Sequence, residues 1–478
     1  MDFKIKGRCG LWLVPLLAVL SLGAVSRDLR IVEAVRDGDQ EAVRSLLEEQ
    51  VDVNASQADG ATALHWAAHR DDQETGELLI GAGADVNAVN DYGVTPLSLA
   101  STNGSPWMVE RLLRAGADPN TAQPSGETPL MTAARTGNVE AVRALLIHGA
   151  KVSARERLRG QTALMWAVSE NHSDVVQVLI EHGAGVRDRS TGGFTPLLFA
   201  ARQGHLDCAR LLLTAGADLN DSAPDGMSPL VMASASGHQE LALFLLDQGA
   251  DPNAVDEYGT TALHYALQKG MSTLTRVELS YFNSHLYRPN MVELVKALLA
   301  HGASPNVRLV KTQRFGNLGI LVRLEGATPF LLAATVGDDD LMRMLVAGAA
   351  DPLLATDENA TPLMVAAGLG RTWDRTDEEE KGTLEAVKLA LELGADVNAA
   401  TVNGQTALQA AARIGANDIV QFLVDEGAEL DVPDKWGQTP LSIAEGIVLD
   451  SLSVNFELKP FTVHQSTADL LRQLGALK

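Results

Sequence analysis

The sequence predicts an all-α solenoid of about 11–12 stacked helix pairs, and three observations carry that expectation. A threonine recurs at 62, 95, 128, 162, 195, 261, 328, 361, 406 and 439, with serine in its place at 228. Seven of the ten intervals between these positions are 33 residues and one is 34, a fixed period of the kind that marks a solenoid. A Gly-Ala pair then follows most copies about 21 residues later, often extended as GADVN at 83–87, GADPN at 116–120, GADLN at 216–220, GADPN at 249–253 and GADVN at 394–398.

The stretch from Gly193 to Asn220 shows the logic of one copy. Thr195 is placed to cap a helix, because its hydroxyl accepts a bond from an orphan backbone N–H. Pro196 follows at the first helical position, where a missing N–H costs nothing. Leu197, Ala200 and Ala201 form an apolar stripe small enough for close helix approach. Gly204 ends the first helix in a left-handed turn, and Leu206, Ala209, Leu212 and Leu213 carry a second one to Gly216. Two helices this short cannot bury their own faces, so each copy requires neighbours.

Eleven copies in register resemble the ankyrin-repeat family, and the resemblance covers residues 28–478. It implies helix–turn–helix units joined by short β-hairpin loops and stacked into a curved solenoid with a concave binding face. Residues 27–59, with Gly38, Val43, Leu46, Leu47 and Asn54, are expected to form a degenerate capping copy, followed by eleven repeats over 60–478. The departures from the period place insertions at 271–290, 307–325, 371–382 and 449–465. Three of these fall between the two helices of the seventh, ninth and eleventh copies, so they are expected to leave one edge about 20 Å apart. The insertion at 307–325 lengthens a hairpin and is expected on the opposite side.

The N-terminus has a different character. Lys4, Lys6 and Arg8 precede the apolar run from Leu11 to Leu22, and Ala24 and Ser26 put small residues before a cleavage point. Residues 1–26 therefore predict a secretory signal peptide, and with it export to a bacterial periplasm or the exterior; retention as an anchor is the alternative. Its removal takes Cys9 away and leaves Cys208, on the apolar side of a second helix, as a buried small hydrophobe. A formal net charge of −23 over 478 residues argues against a phosphate-backbone binder, so no nucleic-acid partner is expected.

No catalytic, cofactor or metal motif is present: there is no H-E-x-x-H, G-x-S-x-G, P-loop or dinucleotide fingerprint. His65 and His264 occupy the fourth position of T-P-L-H, a structural hydrogen-bonding site by the family resemblance. His148, His182 and His301 stand at helix C-termini. His172, His205 and His238 follow the turn between helices, which leaves His69, His285 and His464 without a repeat-based role. His65 and His69, four apart, lack further ligands for a metal. The acidic runs Asp338–Asp340 and Glu378–Glu380 read as solvated loop. Asn-x-Ser/Thr sequons stand at Asn54, Asn103, Asn171, Asn220 and Asn359.

The resemblance directs the fifth and eighth positions of each first helix to the concave groove. The fifth reads Trp66, Leu99, Thr132, Trp166, Phe199, Met232, Tyr265, Leu332, Val365, Ala410 and Ile443. The eighth includes His69, Thr102, Arg135, Ser169, Arg202 and Arg413. Aromatic residues and arginine anchor interfaces most often, though aromatics at this spacing also serve packing between copies. Trp66, His69, Arg135, Trp166, Phe199, Arg202 and Tyr265 are the groove candidates. The insertions add Tyr281, Phe282 and Tyr287, the basic loop with Arg308, Lys311, Arg314 and Arg323, and Trp373. These loops either brace one another or form a partner-binding rim. The expected function is a monomeric, non-enzymatic scaffold that binds another protein, without nucleic acid, cofactor or, after cleavage, membrane. An enzyme site between insertions near His285, or a secreted host-directed effector, is the alternative.

Overall fold

The computed structural model describes residues 28–267, 290–311, 325–370, 377–446 and 463–477, with 24 helices among them. The segment before Thr62 forms a helix pair, Arg30–Asp37 and Gln40–Glu48. Further pairs follow down the chain, from Ala63–Arg70 with Gln73–Gly81 to Pro440–Ala444 with Gln465–Gln473. First helices stack on first helices and second on second, so one apolar core runs from Ile31 to Leu471. The template copy folds as its sequence predicts. Thr195 Oγ1 accepts from the Leu198 N–H at 3.4 Å, Pro196 opens the helix, and Gly204 closes it at φ +80°. A Cβ at Gly204 would lie 2.5 Å from His238 Nδ1 of the next copy, so that turn needs glycine for space as well as dihedral.

Connections between copies are hairpin-like turns held by one i to i+4 backbone bond, as from Gln57 N to Ala61 O at 2.8 Å. Turns this tight leave no room for a ladder. Among the described residues only isolated bridges form, Ser56 with Thr62 and Ala400 with Thr406, in place of strands. Adjacent turns are tied tip to tip instead: the Asp91 N–H donates to Asp59 O and the Thr191 N–H to Arg159 O, both at 2.8 Å. Pro124 and Pro224 have no N–H for this bond, and their rings pack against Gly93 and Gly193.

A second tie runs through side-chain amides. Asn87 Nδ2 donates to Gly116 O at 2.9 Å while its Oδ1 accepts from the Asp118 N–H at 2.8 Å, and Asn54 does the same one copy earlier. Three of the five sequon amides are engaged as donors. Asn54, Asn103 and Asn359 donate from Nδ2 to a neighbouring copy's backbone, while Asn171 and Asn220 accept from Cys208 and Asp251. Burial pushes the Cys208 thiol up to about 11, which suits packing and not nucleophilic chemistry.

The two halves of the interrupted seventh and eleventh copies keep the standard junction. The Met291 N–H donates to Ala266 O at 2.8 Å and the His464 N–H to Ala444 O at 2.9 Å, as the His205 N–H does to Ala200 O in the template. The hairpin insertion is likewise closed at its base, where the Leu309 N–H donates to Ala327 O at 3.0 Å. Arg308 braces that base, with its guanidinium 2.8 Å from Asp357 Oδ1 and 3.0 Å from Ala355 O.

Two expectations are corrected. The ninth copy's second helix, Asp377–Glu392, is 16 residues long against nine for Leu206–Thr214, so the end of the 371–382 insertion, including Glu378–Glu380, is helix and not loop. Glutamate and lysine are good helix formers, and acids favour a helix N-terminus. Asp338 is an N-cap accepting from the Leu341 N–H at 3.1 Å, with Asp339 and Asp340 in the first turn behind it. Residues 1–26, 271–289, 312–324, 371–376 and 449–462 lie outside the described residues, so the leader reading and Tyr281, Phe282, His285, Tyr287, Arg314, Arg323 and Trp373 do too. Among the described residues no helix is long and apolar enough to cross a membrane.

Candidate binding surface

From Thr62 onward each first helix starts from a capping threonine, or serine at 228, which fixes where its fifth residue points. The hairpin immediately before supplies a polar residue to meet that side chain. Gln57 Oε1 accepts from Trp66 Nε1–H at 3.1 Å, and Asp256 Oδ2 accepts from the Tyr265 hydroxyl at 2.7 Å. Glu156 holds the matching place before Trp166, but its hairpin carries one extra residue. The Glu156 carboxylate turns back on that loop and accepts from the N–H groups of Leu158, Arg159 and Gln161 at 2.6, 2.8 and 3.0 Å. The buried Trp166 Nε1–H is left with no acceptor. Sequence reasoning missed this relation, although the nine-residue spacing from Gln57 to Trp66 and from Asp256 to Tyr265 displays it.

The groove positions divide the array in two. Trp66, Leu99, Trp166 and Phe199 are half-buried, whereas Thr132 of the same half and Met232, Tyr265, Leu332, Val365, Ala410 and Ile443 are buried. At the eighth position His69, Thr102, Arg135 and Arg202 are exposed, while Thr335 and Gly368 are buried. This corrects the placing of Tyr265 on the open face: at 6% exposure, with its hydroxyl spent on Asp256, it is a core residue.

The open half is built from short contacts. The Trp66 and His69 rings meet edge to face at 6.0 Å, and Phe199 packs against Phe194 of its hairpin at 5.7 Å. The Arg135 guanidinium sits over the Trp166 ring, 5.2 Å from its centre, and lies 3.7 Å from Glu127, whose Oε1 is also bonded by Thr132 Oγ1 at 2.9 Å. None of the fifth and eighth positions between Trp66 and Arg202 carries a carboxylate, in a chain with 61 acidic residues.

The histidines resolve into structural roles. His172, His205 and His238 stand at second-helix N-caps and bond by Nε2 to Arg135 O, Ser169 O and Arg202 O of the preceding copy, at 2.9, 3.3 and 3.1 Å. His464 is an N-cap in the same way and packs against Gly415, so it belongs with them and not among the unexplained residues. His65 completes a capping box with Thr62 and reaches the next hairpin through Val94 O at 3.0 Å, and its burial lowers its pKa. Among the described residues no group of three His, Cys, Asp or Glu side chains is arranged to hold a metal. A depression of about 340 Å³ lies between the first two helices, where Arg30 is already committed to Asp28 and Glu49.

Comparison with known proteins agrees with this geometry. Residues 31–123, 104–190, 130–223, 197–279 and 379–447 match the family model for ankyrin repeats in three copies, and residues 325–358 match that for a single ankyrin repeat. The chain belongs to the ankyrin-repeat family. Ankyrin repeats generally mediate protein–protein binding. The B-cell lymphoma 3 protein homolog of Mus musculus is 33% identical over 229 residues, covering 40% of this chain and 49% of that protein. Protein phosphatase 1 regulatory subunit 12A of Mus musculus is 33% identical over 89 residues, 19% of this chain and 9% of that one. Serine/threonine-protein kinase 12 of Arabidopsis thaliana is 39% identical over 64 residues, 13% of this chain and 14% of the kinase. The chain thus spans less than half the length of each of these relatives.

Proposed function

We propose that this ankyrin array is a monomeric, non-enzymatic scaffold that binds another protein through the N-terminal half of its concave face, outside the cytoplasm. The observation that carries the reading is the row from Trp66 to Arg202, where aromatic rings are left half-exposed and no groove position is acidic. A stacked solenoid holds such a row in place before binding, so little ordering entropy is lost when a partner docks. Aromatic and arginine anchors of this kind carry about 2 kcal/mol or more each at interfaces.

Co-purification from the native host tests it. The variant Arg202→Glu changes an exposed residue, so it is expected to keep the wild-type unfolding midpoint and to lose the partner. Recovery of an unchanged partner set by the folded variant overturns the groove assignment.

The extracytoplasmic part rests on the basic, apolar and small-residue order of Lys4 to Ser26. N-terminal sequencing of the protein recovered from the host is expected to start at Arg27. A chain that retains Met1 and fractionates with the cytoplasm overturns export while leaving the scaffold reading intact.

A further inference from the structure

We propose that the groove's occupant is an extended acidic segment of the partner protein, with one carboxylate seated at Arg135 beside Trp166 and a second at Arg202. The inference rests on the groove reading above and deepens it. Charge complementarity carries it. The chain as a whole is strongly acidic, yet the open half of the groove offers Arg135 and Arg202 on exposed positions and no carboxylate among its fifth and eighth residues.

The local chemistry is also short of acceptors. Glu127 approaches Arg135 only to 3.7 Å, beyond hydrogen-bond length, and its Oε1 already accepts from Thr132. The Arg135 guanidinium, 5.2 Å from the centre of the Trp166 ring, therefore keeps N–H donors for an incoming carboxylate. Arg202 makes no side-chain hydrogen bond or ion pair among the described residues, and the half-buried Phe199 stands three residues before it on the same helix.

Spacing adds a prediction about the ligand. Arg135 and Arg202 are two copies apart, roughly 20 Å at about 10 Å per helix layer. An extended peptide rises about 3.3 Å per residue, so the two acidic side chains are expected about six residues apart, with apolar residues between them over Trp166 and Phe199. A nucleic-acid strand carries a charge on every nucleotide, so the field of a −23 chain opposes it more than a peptide with two spaced carboxylates.

Selection of a random 16-residue phage-displayed peptide library against the full chain tests this, with synthetic copies of the selected peptides measured afterwards by titration. Wild type is expected to enrich paired Asp or Glu five to seven residues apart around apolar residues. The charge-reversed variant Arg135→Glu with Arg202→Glu is expected to bind those peptides about tenfold or more weakly and to enrich Lys and Arg in their place. Both arginines are exposed, and an unchanged unfolding midpoint checks that the variant is folded. Neutral or basic peptides selected by wild type and lost on Phe199→Ala overturn the acidic class while leaving the groove reading standing. Selected peptides indifferent to Phe199→Ala and to both arginine changes overturn the two together. Displacement of the acidic peptides by a single-stranded DNA oligonucleotide at equal concentration overturns the choice of a peptide over a nucleic acid.

Discussion

Replacing Phe330 by alanine is expected to lower the unfolding free energy by about 3–5 kcal/mol, the usual cost of emptying an aromatic site in a core. Phe330 is completely buried and is the largest of the fully buried side chains among the described residues. It follows Pro329 in a helix whose counterparts in other copies carry leucine, as Leu197 and Leu363 do. Phe330→Leu is therefore expected to cost only about 1 kcal/mol, since leucine fits the same register elsewhere and leaves a smaller void. Urea unfolding followed by circular dichroism measures both. Because stability in a stacked array is a sum over copies and their interfaces, hydrogen exchange should show faster opening concentrated near Pro329–Val336 and its neighbours. A loss for Phe330→Ala no larger than that for Phe330→Leu would show that the site collapses around the missing ring.

Acid is expected to weaken the fold before the carboxylates titrate, and His264 is the reason. Its ring is fully buried with Nδ1 bonded to Thr261, while Nε2 lies beside the carbonyls of Val307 and Ala327 without full hydrogen-bond geometry to either. Burial pushes its pKa down to about 4 from an ordinary 6.5. Between those two values the unfolded chain binds a proton that the folded chain refuses, so stability rises with pH across this window and is lost as pH falls from about 6.5 towards 4. The full loss from this one group is about 3 kcal/mol, reached near pH 4 and constant below it. Glu77, whose pKa the Arg111 guanidinium holds down, adds its own loss only deeper into the carboxylate range.

Gln409 shows how to isolate the histidine. It fills the same position in the tenth copy, where Oε1 accepts from the Thr406 N–H at 2.9 Å and Nε2 donates to Gln438 O at 2.8 Å. His264→Gln should therefore keep the cap and the link to the next hairpin without a titrating group. Urea midpoints for wild type and variant are expected to converge near pH 4 and diverge towards neutrality if histidine is the better packed, or else to cross. In either case the slope between pH 6.5 and 4 should be shallower for the variant. Equal slopes would place the acid sensitivity elsewhere.

Most of the architecture was legible because it is written in local chemistry repeated many times. Thr-Pro at helix starts, alanines on the inner face and Gly at the turns each act within one or two helical turns, so composition and period suffice to find them. The junctions of the insertions were legible for the same reason, since the flanking helices keep their register. The acidic end of the ninth-copy insertion was misread as loop, because the helix starting at Asp377 has no sequence neighbour to compare against and glutamates suit loops and helix starts alike. The candidate surface was legible only as a set of positions. Trp66, Trp166 and Tyr265 are equivalent by spacing, yet one is satisfied by Gln57, one is left without an acceptor, and one is buried.

The amino-acid sequence by itself determined that this chain is an ankyrin array, where each first helix from Thr62 onward begins, and where the period breaks. It also displayed the single 34-residue interval, from Thr128 to Thr162. Only the tertiary structure decided what that extra residue does: it lengthens the hairpin at Glu156, draws the carboxylate onto Leu158, Arg159 and Gln161, and leaves Trp166 beside Arg135 with an unmet donor. The physical reason is range. Caps and turns are settled by neighbours in the chain, whereas exposure and hydrogen-bond satisfaction in the groove are settled by the hairpins and helices that stacking brings alongside.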